Sequence, residues 1–61
     1  MTPAALRAWQ AAMGYTYETG SVALGVNRST YAAWISGRTA IDRRTALACA
    51  AIAAGVGPWA G

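Results

Sequence analysis

Large apolar residues recur along this chain at helical spacing, and glycines interrupt the pattern every dozen residues or so. Leu6, Trp9 and Met13 fall at i, i+3 and i+7 on one helical face, while Arg7 and Gln10 point elsewhere. Thr2 before Pro3 has the order of an N-cap and a first helical residue, and the stretch to Met13 is rich in good helix formers. The pattern predicts a helix from Pro3 to Met13, stopped by Gly14.

Thr16 can cap a second, weaker helix whose first turn carries Glu18, an acid well placed for the helix dipole. It should end at Leu24, with Gly25 following. Gly20 inside it costs roughly 1 kcal/mol relative to Ala, so it requires a packing reason, and close approach of another helix is the obvious one. Val26 and Asn27 open a third helix, with Asn27 as cap and Val26 able to pack on Tyr31 as a hydrophobic staple. Tyr31 and Trp34 form its inner stripe, and Gly37 ends it. Arg28, Ser29, Ala32 and Ser36, all small or basic, lie on the other side, which can therefore come close to a partner.

Asp42 starts a fourth helix, with Ile41 before it as a staple, Leu47 and Ile52 as its larger apolar residues, and Gly55 as its stop. In the closing VGPWAG, Trp59 is expected to tuck against the core. The expected core is Leu6, Trp9, Met13, Leu24, Val26, Tyr31, Trp34, Leu47 and Ile52. The expected fold is all-α, a compact bundle of about four short helices in a single domain over residues 1–61.

Composition narrows the chemistry. At 61 residues the chain is near the lower limit for a core that stands without disulfides, metal or a partner. It has no His, and Asp42, Glu18 and Cys49 are each alone of their kind, so metal clusters, carboxylate pairs and Cys/His nucleophiles cannot be assembled within one chain. A non-enzymatic protein without metal, cofactor or small-molecule ligand is expected. Cys49, set among alanines, reads as a small apolar core residue and fits a reducing compartment. The uncharged stretch after Arg44 is shorter than the ~20 apolar residues of a membrane span and is broken by Gly55, Gly57 and Pro58. MTPAALRAWQ has no basic head followed by an apolar run, so a cytoplasmic protein without a membrane partner is expected.

Charge is unevenly placed. Arg7 and Glu18 cancel, while Arg28, Arg38, Arg43 and Arg44 outweigh Asp42, so the whole formal +3 falls between residues 28 and 44. Arginine clustered without lysine suits a surface that grips phosphate with a planar donor fork. A helix, a turn centred on Gly25 and a second helix with a small, basic outer face together have the organisation of a helix-turn-helix over about residues 16–37. In such a motif the second helix enters the major groove of DNA, which at ~12 Å is wide enough to admit it.

LRAWQAAMGYT, LGVNRSTYAAWISGR and RRTALACAAIAAG resemble the corresponding parts of phage and bacterial repressors of the lambda repressor/Cro-like (XRE-type) family, over about residues 5–55. The resemblance implies a sequence-specific, DNA-binding transcription regulator on the nucleoid. It further implies a repressor that occupies a pseudo-palindromic operator as a homodimer. Arg28 and Ser29 resemble the family positions that reach base edges, Ala32 could touch a thymine methyl, and Thr39 could reach a base or a phosphate. Tyr17, Asn27, Ser36, Arg38, Arg43 and Arg44 are the phosphate candidates, although Asn27 could serve only as a cap and Ser36 only as a helix end.

The chain departs from the family in three places. Tyr17 stands where the family often has Gln, and Gly20 where it keeps a bulky residue or alanine. Val22, Ala33 and Ile35 stand where polar residues commonly lie on exposed faces, which suggests further burial against a second subunit. The competing reading is a protein-interaction module, antitoxin-like or regulator-binding, built on the same fold and using Val22, Ile35 and Trp59.

Overall fold

The computed structural model describes residues 1–59 and is built from four helices: α1 (Pro3–Met13), α2 (Tyr17–Leu24), α3 (Arg28–Ser36) and α4 (Arg43–Ala53). Every helix begins at a side-chain cap. The Thr2 hydroxyl accepts from the Ala5 amide at 3.1 Å, Asn27 Oδ1 from Thr30 at 2.8 Å and Asp42 Oδ1 from Thr45 at 2.8 Å. At α2 the capping is reciprocal: the Thr19 amide donates to Thr16 Oγ1 at 3.1 Å, and the Thr16 amide donates to Thr19 Oγ1 at 2.8 Å. Each cap contributes about 1 kcal/mol, which matters for helices of 8 to 11 residues that are too short to stand alone.

α3 lies at the centre, packed on both α1 and α2, and α4 closes the other side of α1 and α2. Leu6, Trp9, Tyr31, Trp34, Ile35 and Cys49 form the core, and Met13, Tyr15, Ala23, Leu24, Val26, Ile41 and Ile52 pack around it half-buried. The Trp9 indole N–H donates to the Cys49 carbonyl at 3.0 Å, joining α1 to α4 inside the core. Tyr15 meets Trp9 edge-on, with ring centroids 5.3 Å apart. Cys49 is buried and unpaired, as a small apolar residue would be, and burial pushes its thiol pKa up.

Several sequence expectations need correction. Leu47 is 56% exposed, because α4 turns Thr45, Ala48, Cys49 and Ile52 inward and Leu47 falls on the far side. Ala33 and Ile35 are buried within this chain and offer nothing to a second subunit. Tyr31, Trp34 and Ile35 are spaced i, i+3 and i+4, so a central helix flanked on two sides buries a wider band than a single stripe. Val22 is exposed as expected. Trp59 is not tucked but 93% exposed, since Val56, Gly57 and Pro58 form the edge of a groove with Ala23, Ala48, Ala51 and Ile52, and the indole lies beyond that edge.

Arg7 and Gln10 do not simply face solvent. Gln10 Oε1 accepts from the Tyr31 hydroxyl at 2.8 Å, and Arg7 Nη1 donates to the Ile35 carbonyl at 3.0 Å. Among the described residues no buried side-chain polar atom lacks a partner, and no helix is long and apolar enough to cross a membrane.

Candidate nucleic-acid interface

α2, the turn at residues 25–27 and α3 form one continuous surface element. Gly25 turns the chain at φ 69°, a left-handed conformation in which a Cβ is unfavourable. The Val26 amide then donates back to the Ser21 carbonyl at 3.0 Å, Val26 packs against the core, and Asn27 caps α3. With Tyr31, Trp34 and Ile35 facing inward, the opposite face of α3 is set: Arg28, Ser29 and Ser36 are exposed and Ala32 is half-buried between them. Arg28, Ser29 and Ala32 thus share one surface along the first two turns of the helix.

Beyond Ser36 the chain leaves the helix differently from the other three ends. α1, α2 and α4 each close with an amide returning five residues, as from Tyr15 to Gln10, Val26 to Ser21 and Val56 to Ala51. At α3 the amide that returns to Ala33 belongs to Thr39, at 3.2 Å, while the Arg38 amide donates to the Ser36 hydroxyl at 3.4 Å. The extra residue in this turn leaves Arg38, Thr39 and Ala40 exposed just past the end of α3.

The electrostatics of the surface run against local stability. α3 opens with Arg28 and has no acid in its first turn, and α4 opens with Arg43 and Arg44. The N-terminus of a helix is its positive end, so a cation there is disfavoured by roughly 0.3–1 kcal/mol. Arg44 is offset by Asp42, 3.6 Å away in an ion pair exposed on both sides, the one ion pair among the described residues and of little energetic weight. Hydrogen bonding to Thr45, side chain first and backbone amide next, holds the Asp42 carboxyl below its ordinary pKa, and Arg44 adds to this. Arg28, Arg38 and Arg43 are exposed without a carboxylate partner among the described residues. An anionic ligand would relieve the repulsion at both helix starts.

The remaining sequence candidates fall around this surface. Tyr17 is the first residue of α2, 39% exposed, with its ring edge-on to Tyr31 at 5.8 Å between centroids. Asn27 spends its side-chain oxygen on the cap and keeps its amide nitrogen as a donor. Ser36 donates to the Ala33 carbonyl at 3.2 Å and accepts from the Arg38 amide at 3.4 Å, the bonds a residue at a helix end makes. Arg43 and Arg44 stand on α4, across the loop from the motif.

Sequence reasoning missed the two polar bonds behind α3, from Arg7 to Ile35 and from Tyr31 to Gln10. Both join residues more than twenty positions apart, and no local pattern announces them. Arg7 brings a cation to the C-terminal carbonyls of α3, the negative end of a helix whose own last turn holds no basic residue. A family model described as helix-turn-helix matches residues 4–52. No curated protein and no solved structure matches the chain.

Proposed function

Because the chain belongs to the lambda repressor/Cro-like helix-turn-helix family, a family of DNA-binding transcription regulators, we propose that it is a sequence-specific repressor that occupies a pseudo-palindromic operator as a homodimer. The observation that carries this reading is the exposed outer face of α3, with arginines that lack carboxylate partners at both of its ends. Arg28 and Ser29 reach base edges in the major groove, Ala32 lies against a thymine methyl, and Thr39 reaches a base or phosphate just past the helix. A bidentate arginine–guanine contact is worth ~1–3 kcal/mol of discrimination, enough to specify one position per half-site.

Tyr17, Asn27, Arg38, Arg43 and Arg44 hold phosphates and set the register, and Ser36 joins them only by giving up the Ala33 carbonyl. The whole of 1–61 works as one DNA-binding domain with its motif at about 16–37. Repression follows from occupying DNA that polymerase needs. Such a protein acts in the cytoplasm, on the nucleoid. Exposed Leu47, Val56 and Trp59 support the homodimer, since they leave apolar surface on the part of the chain after Arg44 whose side chains carry no charge, and exposed Val22 on α2 adds to it.

The test is selection of bound duplexes from a random DNA pool, followed by binding measurements at several salt concentrations. The expected site has two half-sites about one helical turn apart, ~34 Å, and an affinity that falls steeply with salt by counterion release. The same exposed apolar residues favour a second reading, a module that holds another polypeptide. A chain that selects no DNA sequence and binds duplex without salt dependence would favour that reading.

A further inference from the structure

Tyr31 is the largest fully buried side chain, and it is an unusual choice for that position because it carries a hydroxyl into the core. The hydroxyl donates to Gln10 Oε1 at 2.8 Å, which ties α3 to α1. The same phenol lies against the backbone of α2. A Cβ built on Gly20 would stand 2.9 Å from the Tyr31 oxygen, closer than packed atoms tolerate, and 3.0 Å from Cζ and 3.3 Å from Cε2, both tighter than ordinary packing. Tyr17, three residues before Gly20 on the same face of α2, meets the ring edge-on at 5.8 Å between centroids and 68° between planes. One ring on α3 therefore touches two successive turns of α2 and is held from behind by α1.

We propose that Tyr31, seated on Gly20, is a positioning residue for DNA binding: it fixes the start of α2 relative to α3, so that Tyr17 grips a phosphate while Arg28 and Ser29 meet bases on the same duplex. This inference rests on the DNA-binding reading above. It explains why α2 keeps a glycine that lowers its helix propensity, since a larger residue would move the helix away from α3. The displacement needed to clear a single Cβ is about half an ångström, which spans the whole useful range of an O–H···O distance. Tyr17 would then miss the phosphate with α3 still in its groove.

The test is a set of double-mutant cycles on the intact chain, with a mixed-sequence DNA duplex as the probe and each affinity corrected for the folded fraction measured by circular dichroism. Tyr17→Phe in the parent is expected to weaken binding roughly ten-fold, the loss of one hydrogen bond to a charged acceptor. In the Gly20→Ala background the same substitution should cost about two-fold or less, because the contact is already gone. Tyr31→Leu, which keeps the core apolar and removes the ring beneath Tyr17, should abolish the Tyr17 increment in the same way. A purely structural role for Tyr31 would lower the folded fraction and leave the Tyr17 increment unchanged in every background. That result would overturn the proposal, as would a Tyr17→Phe chain that binds as tightly as the parent. A parent chain that binds no duplex would instead overturn the DNA-binding reading on which the proposal rests.

Discussion

Replacing Trp34 by alanine tests the orientation of α3. Trp34 is 6% exposed, packed among Leu6, Trp9, Tyr31, Ile35 and Cys49, and it also floors the surface groove between Leu24, Val26 and Ala48. A buried aromatic of this kind covers ~150–250 Å², which at ~25 cal/mol per Å² gives about 4–6 kcal/mol. Measured Trp-to-Ala losses in cores, ~3–5 kcal/mol, agree with this. A 61-residue domain at ~0.05–0.15 kcal/mol per residue has about 3–9 kcal/mol in all. Trp34→Ala should therefore lie at or below the threshold of folding at 25 °C, with Val22→Ala, at a position 73% exposed, as the near-neutral control. Urea titration followed by circular dichroism, on both variants beside the parent, gives the comparison. A Trp34→Ala chain that keeps its urea midpoint yet loses DNA affinity would refute the reasoning, since it would mean that Trp34 faces the ligand and α3 is turned around.

Other substitutions separate the roles assigned above. Arg28→Ala should cost ~1–3 kcal/mol on the selected operator and relax preference at one position per half-site, whereas Arg43→Ala should weaken operator and scrambled duplex alike and flatten the salt slope by about one unit; the reverse pattern would move the reading face toward α4. Burial raises the pKa of both Cys49 and Tyr31 in the folded chain. The unfolded chain releases these protons first, at about pH 8.5 and then about pH 10, so their stabilising contribution is full below those values and is lost as pH rises toward the folded ones. Urea midpoints should accordingly fall above about pH 8.5, and Cys49→Ala should delay the fall toward the tyrosine range; an onset that Cys49→Ala leaves unmoved would contradict this. Leu47→Ser and Trp59→Ala should leave the unfolding of the monomer unchanged and weaken self-association in sedimentation; unchanged sedimentation in both would remove these residues from any interface.

Helix boundaries were legible because each is written in a few neighbouring residues. Thr2-Pro3, Thr16, Asn27 and Asp42 announce starts, and Gly14, Gly25, Gly37 and Gly55 announce stops, through hydrogen bonds that reach only three to six residues. Rotation about the helix axis was less legible where side chains lack contrast. Nearly half of α4 is alanine, so its pattern gives little rotational contrast: the sequence reading turns both Leu47 and Cys49 inward although residues two apart lie on opposite sides of a helix, and the bond from the Trp9 indole to the Cys49 carbonyl belongs to the bundle as a whole. Ile35 is buried where the sequence suggests exposure because a helix in the middle of a bundle buries more of its circumference than one at its edge. At the surface, Arg28 and Ser29 could be placed from the cap at Asn27, whereas the support from Arg7, Gln10 and Tyr31 depends on which helices meet and is not a local property.

The front and back of α3 have different tasks and share almost no residues. Tyr31, Trp34 and Ile35 build the scaffold, Asn27 starts the helix, and Arg28 and Ser29 take part in neither. Exposed positions of this kind tolerate substitution within about 0.5 kcal/mol. If Arg28 and Ser29 read bases as proposed, sequence preference can change at two codons while the fold beneath them persists unaltered. Ala32 is where this freedom ends: half-buried, it belongs to both faces, and any larger side chain there has to satisfy the helix bundle as well as whatever meets the outer face.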